Sequence, residues 1–176
     1  VPAWHAAPML AAHFPDAAAR VGELNANGSV AVTLAYRADQ IPFDMNTHGL
    51  QVDASEGIAM TAVTVHSSKL AARAPEGAVL LRVFFKNTDP QEAVRLAPLE
   101  ATRLFGAQGE PLHHFVADWR GQNPAYRVGH LKRVAGIQAA LPEQVRVAGA
   151  SFTGVGIPDC VNAGRVTARA VVGQLA

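Results

Sequence analysis

The chain has 176 residues, with 15 Lys and Arg against 14 Asp and Glu, so its formal charge is +1. Hydrophobic residues make up 49% and charged residues only 16%, which excludes intrinsic disorder and, with no basic excess to displace phosphate counterions, excludes nucleic acid as the main partner. A single cysteine, Cys160, excludes a disulfide framework or Cys-rich metal site, and no run reaches the ~18 apolar residues of a membrane span.

Residues 2–24 read as two helical pieces divided by Pro15, a first-turn proline followed by Asp16 at the positive end of the second piece. Asn25-Ala-Asn-Gly-Ser29 is a turn signal, and residues 29–37 form a strand rich in Val, Thr and Tyr. Residues 49–54, 57–70 and 77–87 read as three further strands; the almost unbroken apolar run from Leu80 to Phe85, interrupted only by Arg82, predicts burial on both faces. Asp89 is an N-cap for a helix with Pro90 at its first position, and residues 110–120 form another strand. A turn-rich loop, an amphipathic helix from His130, a short buried strand at Val145–Ala148 and a Gly-rich loop into a terminal helix complete the chain. The expected fold is α+β, a mixed or antiparallel sheet with flanking helices, ending in a strand–loop–helix unit.

That last unit carries the strongest chemical signal. Gly149, Gly154 and Gly156 precede a helix with Pro158 in its first turn, an arrangement whose free N–H groups suit a phosphate or another electron-rich ligand edge. Glycines also serve an ordinary strand-to-helix turn. Trp119 and Tyr126 flank a second glycine loop, where they either pack on a planar ligand or anchor the core. His130 either titrates near neutrality or simply starts its helix. His113 and His114 are adjacent on a strand, point to opposite faces and cannot chelate one ion, and His5, His13, His48 and His66 have no metal-ligand spacing, so no metal site is expected. Cys160 reads as a small core residue, Ser67 and Ser68 lie outside any nucleophile elbow, and no carboxylate pair marks a catalytic acid and base.

In order along the chain, EGAVLLRVFF, DPQEAV, DWRGQNPAYRVGHLKRV and VAGASFTGVGIPDCVNAGRVTA resemble the C-terminal third of the protoporphyrinogen/coproporphyrinogen oxidase family of haem biosynthesis; VPAWHAAPML, SVAVTLAYR and TVHSSKLAARAPEG extend the resemblance upstream. The resemblance implies a flavoenzyme with a Rossmann-like FAD domain and an inserted substrate-side sheet, oxidising protoporphyrinogen IX or coproporphyrinogen III by six electrons with oxygen as acceptor. It implies that Val155, Gly156 and Ile157 contact the flavin ring, that Trp119 lies beside it, and that the segment with Thr61 and Val63 lines the substrate cavity. It assigns residues 1–142 mostly to the substrate side and 143–176 to the last FAD-domain segment.

The departures are as informative. The family's G-x-G-x-x-G fingerprint and ribose-binding acid are absent, as are the N-terminal residues that would meet substrate carboxylates; Val65 and His66 stand where an aromatic is common. The expectation is a C-terminal fragment that lacks its N-terminal FAD domain, retains no FAD and is inactive alone, from a cytoplasmic or membrane-associated parent, with a homodimer as one allowed state. Rival readings are a related flavin amine oxidase or desaturase and a stand-alone tetrapyrrole-binding module. If a domain is missing, Trp119 and residues 155–157 should be exposed or covered by a second copy.

Overall fold

The computed structural model describes residues 1–70 and 72–175. In chain order the elements are α1 (Ala3–Leu10), α2 (Pro15–Gly22), β1 (Asn25–Asn27), β2 (Val30–Arg37), β3 (Gly49–Gln51), β4 (Ala62–Val65), α3 (His66–Lys69), β5 (Ala78–Phe85), α4 (Pro90–Phe105), β6 (His113–Asp118), β7 (Asn123–Ala125), α5 (His130–Ala139) and α6 (Ile157–Leu175). They divide into two compact units, Val1–Asn27 with Gly121–Ala176, and Gly28–Arg120. The division by function expected at residues 142 and 143 lies inside the first of these.

The second unit is a sheet packed on one helix. Its strands run in the order β3-β4-β5-β2-β6, and every pairing is antiparallel, so of the mixed or antiparallel sheet expected the structure has the antiparallel form. Side chains alternate across a strand. One face carries Val63 and Val65, then Val79, Leu81, Val83 and Phe85, then Val30, Val32, Leu34 and Tyr36, all buried. Against them α4 sets Ala93, Ala97, Ala101 and Phe105 at helical spacing. Asp89 starts α4 by accepting the Gln91 N–H at 2.9 Å, and Gly106 ends it in the left-handed region at φ +65°.

Two readings need correction here. β5 is not buried on both faces: Leu80, Arg82 and Phe84 alternate onto the other face and are half-buried, because α4 covers only one side. The strand expected through residues 57–70 stops at Val65, and His66–Lys69 coil into the helical turn α3.

The first unit is mainly helical. Pro15 opens α2 as expected, and Ala3, Ala17, Val21, Ile137, Leu141 and Phe152 form its core. The buried Ala3 N–H donates to Ser151 Oγ at 3.1 Å, tying α1 to the Gly-rich loop. The turn read at residues 25–29 contributes instead a short strand, with β1 pairing antiparallel to β7 (Asn25 to Ala125). The strand expected at Val145–Ala148 is not formed. No strand pairs with it among the described residues. The Gln138 side chain binds its backbone instead, donating to the Val145 carbonyl at 3.1 Å and accepting the Val147 N–H at 3.4 Å.

Candidate functional site

The Gly-rich loop of the first unit owes its path to its glycines. Gly149 has φ +115° and Gly154 φ +156°, and a Cβ at Gly154 would collide with the Asp159 side chain. The loop then enters α6, where the Cys160 N–H donates to the Gly156 carbonyl at 2.9 Å and the Cys160 thiol donates to the Gly154 carbonyl at 3.4 Å. Val155 is 61% and Ile157 81% exposed, while Gly156 is half-buried. An open helix start carries unpaired N–H groups and a partial positive charge. Asp159 adds a carboxylate in the first turn, which disfavours a polyanion such as phosphate and leaves the site suited to a neutral, electron-rich carbonyl or ring edge.

His130 and Tyr126 brace this loop from below. His130 is buried as the first residue of α5, and its Nε2–H donates to the Phe152 carbonyl at 2.9 Å. Its ring stacks on Tyr126 with centroids 3.8 Å apart, and the Tyr126 hydroxyl donates to the Ala150 carbonyl. His130 starts its helix as expected, and its imidazole also holds the loop.

In the second unit Trp119 follows β6 and is 53% exposed, so it is not a core anchor. Its backbone is fixed: the Trp119 N–H donates to the Ser29 carbonyl at 3.0 Å, and only glycine fits at Gly28, whose missing Cβ would strike the Trp119 carbonyl. On either side, Arg120 forks onto Asp118 at 2.7 and 2.9 Å, and that hydrogen bonding lowers the Asp118 carboxyl below its ordinary range. Of the exposure expected for Trp119 and residues 155–157, the structure has it at Trp119, Val155 and Ile157 but not at the half-buried Gly156.

The open face of the sheet holds a shallow depression of about 590 Å³ at its β3–β4 edge. It is lined by His48, Gly49, Gln51, Thr61, Thr64 and Phe84 among others, with no acidic residue. Thr61 and Val63 both border it, but not alike. The Thr61 hydroxyl donates to the Phe84 carbonyl at 3.2 Å, whereas the Val63 side chain is only 2% exposed and turned to the core, leaving its backbone on the rim. The side chains that alternate onto this face are Ala62 and Thr64. Gly49, at φ +141°, lets β3 approach, since a Cβ there would meet the Val63 carbonyl.

His113 and His114 alternate to opposite faces of β6 as expected, His113 opposite Ala35 and His114 opposite Leu34. Among the described residues no group of three or more His, Cys, Asp or Glu is placed to hold a metal, and no helix is long and apolar enough to cross a membrane.

No protein-family profile matches the chain. Individual relatives do. A coproporphyrinogen III oxidase of Propionibacterium freudenreichii is 33% identical over 94% of the chain and 33% of its own length. One of Staphylococcus aureus is 32% identical over 82% of the chain and 33% of its own length. The fold is shared with the crystal structure of a proposed protoporphyrinogen oxidase from Exiguobacterium sp. 255-15, at TM-score 0.78 and 22% identity, covering 97% of this chain and 39% of that one. The chain thus spans about a third of the length of the curated relatives it matches. Over that stretch the chain is similar in sequence to coproporphyrinogen III oxidases and shares the fold of the Exiguobacterium crystal structure.

Proposed function

We propose that this chain supplies the substrate-side sheet and the last flavin-contacting loop of an FAD-dependent oxidase that converts coproporphyrinogen III, or protoporphyrinogen IX, to the porphyrin with oxygen as acceptor. The observation that carries the reading is the match to coproporphyrinogen III oxidases over 94% of the chain at 33% identity. In this assignment residues 143–176 belong to the cofactor side, and the sheet of the second unit to the substrate side.

The residues present fit a flavin. Residues 154–157 offer two exposed apolar side chains beside an open helix start, and the glycines there let the Asp159 side chain fold against the loop. Val155, Gly156 and Ile157 would hold the ring, with Trp119 as an aromatic neighbour. When bound, FAD supplies the two-electron acceptor that the porphyrinogen needs, and the protein contributes positioning and electrostatics. The positive end of α6 favours the build-up of negative charge at a ring edge placed against it. Asp159 moderates that field, and the His130–Tyr126 stack keeps the loop in place. On the substrate side, Thr61 and Thr64 offer hydroxyls, and Phe84 an apolar surface, to the macrocycle.

The test is turnover. The complete protein that carries this chain, loaded with FAD and given coproporphyrinogen III in air, is expected to form fluorescent coproporphyrin. Formation of no porphyrin from either coproporphyrinogen III or protoporphyrinogen IX overturns the reading. The 176-residue chain alone is expected to retain no FAD; stoichiometric flavin and turnover in it would overturn the assignment of the cofactor's remaining contacts to another segment.

A further inference from the structure

The antiparallel register decides which side chains share the open face of the sheet. They are Gln51 on β3, Ala62 and Thr64 on β4, Ala78, Leu80, Arg82 and Phe84 on β5, Ala31, Thr33, Ala35 and Arg37 on β2, and His113, Phe115 and Ala117 on β6. No acid is among them. Arg82 lies opposite Thr64 and one alternation from Phe84, both of which line the depression.

Of the arginines on the strands and helix of this unit, Arg82 and Arg103 pair with no carboxylate among the described residues, but Arg103 is exposed and donates to the Gly57 carbonyl at 3.1 Å. Arg37 and Arg95 each pair with a carboxylate, Asp39 and Glu92. Arg82 is half-buried on the sheet and, among the described residues, has no carboxylate partner; its single hydrogen bond runs from Nε to Thr33 Oγ1 at 3.5 Å. That bond orients the guanidinium and leaves both terminal nitrogens free to donate. A partly desolvated guanidinium without a counter-ion is costly unless a ligand supplies one.

The surroundings are cationic too. Next after β4, burial lowers the His66 pKa, and the nearby charges of Arg82, Arg73 and Lys69 lower it further, with no acid opposing them. The same face is also apolar: Phe115 is 68% exposed and Phe84 half-buried. Aromatic surface around one unpaired guanidinium fits a flat apolar molecule with acidic side chains better than it fits a small inorganic anion.

We propose that Arg82 is a carboxylate-binding residue, taking a propionate of an acidic tetrapyrrole that lies on the open sheet face against Phe84 and Phe115. The inference rests on the proposed function and deepens it. A substrate with four propionates has an acidic group on every side of the ring and reaches Arg82 in more orientations than one with two, so the residue favours the four-carboxylate substrate. A guanidinium pairs with carboxylate through two parallel N–H donors, which an ammonium cannot reproduce.

The experiment titrates the full chain with coproporphyrin III, a stable stand-in for the porphyrinogen, with its tetramethyl ester and with benzenehexacarboxylate, followed by tryptophan quenching and visible absorbance. The free-acid porphyrin is expected to bind about tenfold more tightly than the ester at low salt, with the advantage falling as salt is added. Arg82→Gln is expected to abolish the advantage and Arg82→Lys to restore part of it, whereas Lys86→Gln, at the exposed end of β5, leaves it intact. Far-UV circular dichroism separates loss of binding from loss of fold, and Arg82→Lys keeps the test alive if Arg82→Gln does not fold. Equal binding of acid and ester, unchanged in Arg82→Gln, overturns the carboxylate site and leaves the tetrapyrrole reading standing. Arg82-dependent binding of benzenehexacarboxylate without porphyrin binding keeps the site and removes the tetrapyrrole. No binding of any of the three overturns both.

Discussion

The two compact units spend similar composition in opposite ways. In Gly28–Arg120, strand alternation and one helix bury an extended cluster running from Val30 to Ala107, and the large apolar side chains left exposed, such as Phe43, Leu99 and Phe115, are scattered over loop, helix and open sheet face. In Val1–Asn27 with Gly121–Ala176, the buried cluster is six residues, while Met9, Val128, Leu131, Val155, Ile157, Val161, Val166 and Val172 are exposed. A helix such as α6 that keeps its valines in water is short of a partner surface. The contrast teaches that an Ala- and Val-rich sequence closes on itself when a sheet organises it and stays open when helices without a broad sheet do.

Truncation in the cores tests this contrast hardest. Phe85→Ala, in the sheet unit, is expected to cost about 3–5 kcal/mol by denaturant unfolding. Phe152→Ala, in the six-residue core, is expected to cost a similar amount but to unfold the helical unit at ambient temperature, seen as loss of amide protection in α1, α2 and α5 while β2 and β5 stay protected. If both variants lose protection everywhere at once, the units are one cooperative body and the comparison breaks.

Next in size, Gly49→Ala forces a side chain into the left-handed region and against the Val63 carbonyl. The expected cost is about 1–3 kcal/mol, with faster exchange confined to β3 and β4. Asp89→Ala removes the cap of α4 and should cost about 1 kcal/mol, read as a lowered denaturation midpoint at constant slope.

A smaller effect is in the pH profile. Burial and the three neighbouring cations hold the folded His66 pKa below the unfolded one. Between the two values the unfolded chain binds more protons, so stability is complete above the ordinary histidine range and falls as the pH is lowered through it. His66→Gln should flatten that part of the curve. At the bottom of the scale, Glu92→Gln breaks an exposed pair with Arg95 and should change stability by less than about 0.5 kcal/mol.

Local chemistry was legible in the sequence. Pro15 opening α2 and Asp89–Pro90 opening α4 depend only on neighbouring residues, and the structure has both. What failed depended on partners far along the chain. Val145–Ala148 has strand composition but no strand beside it, and residues 25–27 have turn composition yet meet β7. The open face was half legible. Thr61 and Val63 do border the depression, but Val63 turns inward because β4 alternates the other way. Arg82 was hidden in an apolar run read as buried throughout. The period of two in Leu80, Arg82 and Phe84 was the signal that would have found it.

Gln138 has a consequence for how the chain behaves among its own copies. Its side-chain amide occupies a donor and an acceptor position of the Val145–Val147 backbone, the groups a neighbouring strand would use. It is a plug in an unfilled seam. Any strand that docks there must first evict it, so pairing requires a partner able to offer a full ladder, and casual edge-to-edge association is discouraged. Removing the plug with Gln138→Ala would leave an apolar segment with free backbone groups, and the molecule would become stickier without losing a single core contact.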